Sequence, residues 1–467
     1  MATPVRTQEP GAVVPVPPGG PAAAVPATGL RARLGRATGT APGRLRLAGA
    51  LLAVLTVAFG ALTAWQVNSR AQAAERVVSY SQPLSQAAAD IHRSLADADT
   101  TAATGFLLAG AEPKAVRDRY EQDLATASRL ITEAAARTTA SSPAQGWLTT
   151  LNQQVPVYAG LVEAARADNR QGFPLGGAYL RYASDQMRTV LLPAAAQLTA
   201  AENQELADDF AEAKAVPWAA YGLGVVTLGA LVWVQIRLFR RTNRVFNPGL
   251  LGATAAVLAG ALWLTVAGLD AHNGLARSES RGAAPLRALN AARVDVLTAR
   301  LAENLHFVAR GSSTTYADLW TTTTEHLESR KEGDGDLPRG GTLVTALRLA
   351  PPDASPAIGD ARTRYEEWYD RHAAASRLEN VDADYQGALD ATVTVKEADV
   401  PKSADASFSA ADQGLANAAG IELKEFRQAA EGIDGDLRTA AVAVALLALV
   451  AAVAAARGLG RRLAEYR

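Results

Sequence analysis

"TAATGFLLAGAEPKAVRDRYEQ", residues 101–122, has a counterpart in "TARLAENLHFVARGSSTTYADL", residues 298–319. An offset of 201 positions sets Phe106 on Phe307, Leu107 on Val308 and Gly110 on Gly311. Both stretches are an apolar run closed by glycine and followed by polar, helix-forming residues. Such self-similarity is the mark of an internal duplication. Pro83 and Pro285, 202 positions apart, repeat the correspondence upstream.

Four uncharged apolar runs frame the two copies: Leu47 to Val67, Ala215 to Ile236, Val245 to Leu269 and Thr439 to Ala456. The first three are long enough for a hydrocarbon core of about 30 Å. The fourth is short but almost purely Ala, Val and Leu, with Arg438 and Arg457 placed to snorkel at its ends. About 45 residues precede the first run, which is too long and lacks a small-residue cleavage site for a signal peptide. The plan is therefore a span, a large helical segment and a returning span, twice over.

The flanks orient it. Residues 1–46, "RLFRRTNRVFNPG" (237–249) and the tail together hold 14 basic residues against 2 acidic ones, leaving 32 basic and 45 acidic elsewhere. The positive-inside rule puts the three short segments in the cytoplasm and the two long, acidic ones outside. The net charge of −1 hides this polarity. The implied division is a cytoplasmic tail without periodicity (1–44), spans at 45–67, 216–238, 247–269 and 438–456, outer domains at 68–215 and 270–437, a basic link at 239–246 and a basic tail at 457–467.

Alanine dominates, aromatics make up 6% and cysteine is absent, which favours helix and excludes thiolate chemistry. The first outer domain reads as four helices: Asn68–Leu108 running on from its span, Pro113–Thr139, Pro143–Asn169 and Gly177–Lys214. Gly110 fits a C-terminal cap, Pro113 and Pro143 fit first turns, and Pro83, Pro156 and Pro193 predict kinks. The fourth helix is expected to run into its span near Pro217. At about 1.5 Å per residue the first helix reaches roughly 60 Å. The second domain repeats the plan with helices at Ala271–Arg310, Thr315–Lys331 and Ala357–Asn380. Its fourth starts at Tyr385, breaks across "ATVTV" and Pro401 and becomes regular from Ser403 to Asp436. "KEGDGDLPRGGTLVTALRLAPPDASP" (331–356) reads as a long connection. The fold class is all-α: four transmembrane helices and two extracytoplasmic four-helix-bundle-like domains in tandem.

"SLADADTTAATGFLLAGAEP" (94–113) resembles the extracytoplasmic sensor bundles of bacterial receptors, whose first helix carries a Gly, aromatic, Leu, Leu, small, Gly pattern. The whole-chain plan resembles a four-span family of high-GC Gram-positive bacteria, the membrane partner of a glutamine/glutamate-binding lipoprotein and of the soluble Ser/Thr protein kinase G. The resemblance implies a relay in which the lipoprotein binds aspartate or glutamate outside, the four-span protein detects the liganded form, and the kinase is stimulated inside.

No residue pattern points to catalysis, a metal or a cofactor. His92, His272, His306, His326 and His372 make no close ligand pair, and phosphate loops and nucleophile elbows are absent. Asp97 and Asp99 point to different helix faces and read as solvated or salt-bridged. Glu303, His306 and Arg310 share a face and read as a surface ion-pair ladder. The spans carry no internal carboxylate, lysine or histidine, which argues against ion transport. Gly222, Gly224 and Gly229 read as close-packing positions, and Trp65, Trp218, Tyr221, Trp233 and Trp263 as interfacial anchors.

Partner contacts are expected at the distal turns, through Glu112, Lys114, Arg170, Phe173, Arg310, Ser312, Tyr316, Asp382 and Tyr385. Inside, Arg240, Arg241, Arg244, Arg461 and Arg462 form the charged surface open to a kinase, although topology alone also explains them. A direct small-molecule receptor and an envelope scaffold are the competing readings. A homodimer stays open, and nothing suggests nucleic acid.

Overall fold

The computed structural model describes residues 41–108, 112–139, 141–242, 247–310, 313–329, 340–394, 396, 398–430 and 433–464. Gly110, Gly311, Ser312, Arg244, nearly all of the N-terminal tail and most of the Gly- and Asp-rich connection lie outside them, as do the side chains of Arg241 and Arg462. Among the described residues every regular element is a helix.

Helix α1 (Ala41–Arg76) leads through a π-turn (Val77–Ser81) into α2 (Gln82–Leu107). Then come α3 (Lys114–Arg137), α4 (Ala144–Arg170), α5 (Leu175–Gln186), a second π-turn (Met187–Leu191) and α6 (Leu192–Lys214). After α7 (Trp218–Thr242) the plan recurs: α8 (Pro248–Ser278), a third π-turn (Glu279–Ala283) and α9 (Ala284–Ala309). The chain continues through α10 (Thr315–Leu327), α11 (Thr342–Leu349), α12 (Ser355–Asn380), α13 (Tyr385–Thr392), a 3-10 turn (Val400–Lys402), α14 (Ala404–Ala430) and α15 (Ile433–Ala464).

The kinks expected at Pro83 and Pro193 take the form of π-turns, and Pro285 has one too. Each π-turn ends two residues before its proline, which then sits in the first turn of the following helix. A proline lacks the N–H and its ring strikes the carbonyl four residues back. One widened turn moves that carbonyl aside without ending the helix. Pro156 instead stays inside an unbroken α4 on an exposed face, where water can take up the freed carbonyl.

The junctions into the apolar helices are not alike. α1 to α2 and α8 to α9 are uninterrupted apart from their π-turns. α6 and α7 are separated: Ala215 is extended at ψ 138°, and the helix restarts only at Trp218. The continuous fourth helix expected from the sequence is corrected here. The new N-terminus is secured when Gln66 Oε1 accepts the Ala220 N–H at 3.0 Å. α11 is a further correction, eight residues of helix inside the expected connection.

Four helices are long and apolar enough to cross a membrane, by length and composition. α15 packs along both α1 and α8, and α7 closes the set against the same two. Large side chains such as Val54, Trp65, Trp218, Val225 and Leu262 point outward, as lipid contact requires. Gly222 and Gly229 face open space, contrary to the packing role expected of them, whereas a Cβ on Gly224 would lie 3.0 Å from Phe59. The closest approaches are Gly60 against Ala448, and Gly249 against Gly458.

Beyond these helices stand two bundles. In the first, α2 packs on α3 and α6, and α4 on α5 and α6, around Ile91, Leu95, Leu151, Tyr158 and Leu180. In the second, α9 packs on α10, α11 and α14, and α12 on α13 and α14, around Leu289, Val296, Tyr365 and Trp368. Each such buried leucine contributes about 1.5–3 kcal/mol. The bundles share their cores: Leu301, Leu305 and Val308 of α9 join the first, and Ala96 of α2 joins the second.

Candidate functional site: the seam and ends of paired helical rods

The two repeats meet along α2 and α9, and the contact is polar at its centre. Thr100 Oγ1 donates across it to the Leu297 carbonyl at 3.0 Å. Asn304 Nδ2 returns a bond to Thr104 Oγ1 at 2.8 Å and reaches the Thr100 carbonyl at 3.3 Å. Thr100 and Asn304 are buried, so these bonds fix the register of one rod on the other. A charged node lies beside them. Arg119 on α3 pairs with Asp97 at 2.9 Å and with Asp412 on α14 at 3.1 Å, and Asp412 also pairs with Arg293 on α9 at 3.1 Å. Asp123, close to Asp97, has its pKa pushed up to about 8 by burial and that neighbouring carboxylate. Asp97 is thus salt-bridged, as the sequence suggests.

Asp99 is not. It is wholly buried in the first bundle and accepts from Tyr158 Oη at 3.0 Å and Ser184 Oγ at 2.9 Å. Burial raises its pKa from 3.8 to about 6, against those two hydrogen bonds. A raised carboxyl pKa stabilises the fold fully below the unfolded value and loses that contribution as pH rises through the folded one. The Asp99→Asn protein should therefore lack, relative to the parent, a stability decrease on the order of 2–3 kcal/mol between pH 4 and 7. Amide exchange over α2 and α4 across that range measures it; equal pH profiles for the two proteins would refute the assignment.

The second bundle carries a larger node. Glu303 is buried, not part of a surface ladder. It binds Arg300 Nη1 at 2.5 Å, Trp368 Nε1 at 2.9 Å and His372 Nδ1 at 2.9 Å. Burial raises its pKa, but Arg300 and His372 outweigh that and hold it below the ordinary range. His306 pairs separately with Glu379 at 2.8 Å.

The distal turns separate into inward and outward groups. Glu112 turns in to Arg166 at 3.1 Å, whose guanidinium lies 4.2 Å over Tyr120. Tyr316 packs against the first bundle's core, and Tyr385 Oη donates to the Phe307 carbonyl at 2.8 Å. Arg310, left-handed at φ 50°, caps α9 and lies over Tyr385. Lys114 is exposed but pairs with Asp118 at 2.7 Å. Arg170, Phe173 and Asp382 face outward, Phe173 beside exposed Leu175 and Asp382 beside exposed Val381.

At the opposite end the link and tail meet. Asn247 Nδ2 donates to the Gly458 carbonyl at 2.9 Å, and Arg457 and Arg461 line a groove with Asn247 and Gly249. Arg240 is exposed at the end of α7. Among the described residues no three His, Asp or Glu side chains converge as metal ligands.

Residues 73–211 match the model of an actinobacterial sensor domain. No curated protein matches the chain. The match covers the top of α1 through α6, the whole first bundle, and supports a signal-sensing role. Thr100, Asn304 and Asp99 are absent from the candidates drawn from sequence. Asp99 could have been found, since it lies four residues after Leu95 and three before Ala102, on the same buried face of α2. The pairing of Thr100 with Asn304 depends on how the repeats meet, which no local pattern encodes.

Proposed function

We propose that the chain is a non-enzymatic transmembrane sensor that detects a liganded amino-acid-binding lipoprotein outside and stimulates a soluble Ser/Thr kinase inside. The observation that carries this reading is the pair of rods, α1–α2 and α8–α9. Each joins an apolar span to a bundle without a loop, and the two are held in register by Thr100, Leu297 and Asn304. A partner that binds one packing of the bundles better than another shifts the rods, and only such a difference in affinity can do so. Arg170, Phe173 and Asp382 are the distal groups free to meet the lipoprotein. The joined link and tail, with Arg240, Arg457 and Arg461, form the inner face for the kinase. The first bundle's likeness to an actinobacterial sensor domain and the whole-chain resemblance support the direction of the relay.

A Gly-Gly-Ser hinge inserted after Asn68 or after Ala271 should abolish kinase stimulation by the liganded lipoprotein. The same insertion after Ala215, where the chain already leaves the helix, should leave it largely intact. Stimulation that survives both rod insertions would eliminate rigid transmission.

A further inference from the structure

A cavity of about 320 Å³ opens between the bundles, above the π-turns of both rods. Its walls come from α2, α6 and α9 with Ala283 of the third π-turn and one residue of α10, so it belongs to neither repeat alone. More of its exposed surface is apolar than polar, and several of the polar side chains set into it have no protein partner. The side chains of Gln82, His92, Arg287 and Asn290 make no hydrogen bond or ion pair among the described residues; Gln82 is buried, the other three are partly open to solvent, and Gln86 Oε1 is buried without a partner. Asn203 accepts from Ser85 at 2.7 Å, which leaves its Nδ2 protons for the cavity. Buried polar groups are normally satisfied by protein, water or ligand. The Gln82 side chain and Gln86 Oε1, buried and unpartnered on the wall of a cavity of ligand size, mark a place where something polar binds.

Charge selects the ligand. Arg287 is the only unpaired cation among the described lining residues, and burial lowers its pKa, so an anion there relieves a real penalty. Glu279, the carboxylate that acts on it, is already taken by Lys214. His92 adds no competing charge, because burial pulls its pKa down to about 4. At the far end Asp295 accepts from His326 at 2.9 Å and from Thr342 at 2.7 Å. Arg287 and Asp295 are eight residues apart on one helix, about 12 Å of axial rise. A guanidinium fork suits a carboxylate, and the carboxamides between suit hydroxyl, carbonyl or amino groups.

We propose that this cleft binds a small polar carboxylate of amino-acid or hydroxy-acid size, with its carboxylate on Arg287. Gln82 and Gln86 of one rod and Asn290 of the other hold the rest. A ligand seated there ties the two rods together directly above their π-turns. This gives the molecule a direct chemical input separate from any protein docked at the distal turns.

The test uses the full chain in lipid nanodiscs with no other protein present, so its outcome is independent of the relay. L-aspartate, L-glutamate, L-malate and succinate are titrated by calorimetry, with glycerol and ethanolamine as carboxylate-free probes. At least one acid should bind with a Kd below about 1 mM. Arg287→Gln should weaken it at least tenfold, roughly the loss of a charge-assisted bond. Arg129→Gln, in a surface pair remote from the cleft, should not. Asn290→Leu, which fills the cleft without touching the charge, should also abolish binding and serves if Arg287→Gln does not fold. The proposal is overturned if none of the acids binds, if the carboxylate-free probes bind equally well, or if binding is indifferent to the substitutions in the cleft.

Discussion

Glu303→Ala is expected to destabilise the second bundle by about 3–5 kcal/mol, the cost of stranding a buried charge. Arg300 is fully buried, and with Glu303 gone its remaining carboxylate partner is Asp405 at 2.8 Å, whose side chain is 40% exposed. Trp368 Nε1 and His372 Nδ1 lose their acceptor in the same step. The damage spreads because Trp320 stacks on His372 at 3.7 Å and meets Trp368 edge-on at 5.1 Å. Replacing both members of the pair, Arg300→Met with Glu303→Leu, should cost less than the single change, since no charge is left behind. Denaturant unfolding followed by amide exchange over α9 and α12 separates the cases. A double mutant no better than the single one would show that shape, not charge, holds the node together. The pH dependence has the opposite sign to that of Asp99. A depressed carboxyl pKa gives stability above the unfolded value that is lost as pH falls through the folded one. Acid should therefore weaken the Glu303 node while it tightens the packing around Asp99.

Gly249→Leu should destabilise the other end of the molecule. A Cβ at that position would lie 2.5 Å from both the Ala454 carbonyl oxygen and the Gly458 Cα, and neither backbone can move aside as a side chain would. α8 and α15 must then separate where Asn247 clasps the Gly458 carbonyl, and the basic link parts from the basic tail. Overpacking of this kind costs about 1–3 kcal/mol, more when both neighbours are backbone. Small residues are what allow such approaches between helices in lipid. Gly222→Ala and Gly229→Ala, with nothing within 4 Å, should be neutral. Thermal unfolding in detergent ranks the three, and loss of a disulfide engineered between link and tail would show the separation directly. Equal melting of all three variants would mean that the inner ends are not in close contact.

Much of this architecture is legible because the chain is punctuated. Prolines at 113 and 143 set helix boundaries to within a few residues. Errors occur where one signal has two readings. Near Pro217 the fourth helix reads as running on into its span, yet a proline disfavours helical geometry in the residue before it, and the chain leaves the helix there. "TLVTALRL", 342–349, is a short amphipathic segment between Gly-rich and Pro-rich neighbours, so its surroundings masked its helicity. Asp99 reads as polar and hence exposed, although its phase puts it inside. The seam and the cleft belong to the contact between repeats, and that contact is set by tertiary packing.

The three widened turns have a consequence for how the parts of the molecule are aimed. An α-helix advances about 100° per residue, so an extra residue in one turn rotates everything beyond it by roughly that angle. The side of each rod that faces the other apolar helices and the side that faces its bundle are therefore phased independently, by a proline. The duplicated rods carry the same offset, 202 residues apart, so their upper halves turn by the same amount and still face each other.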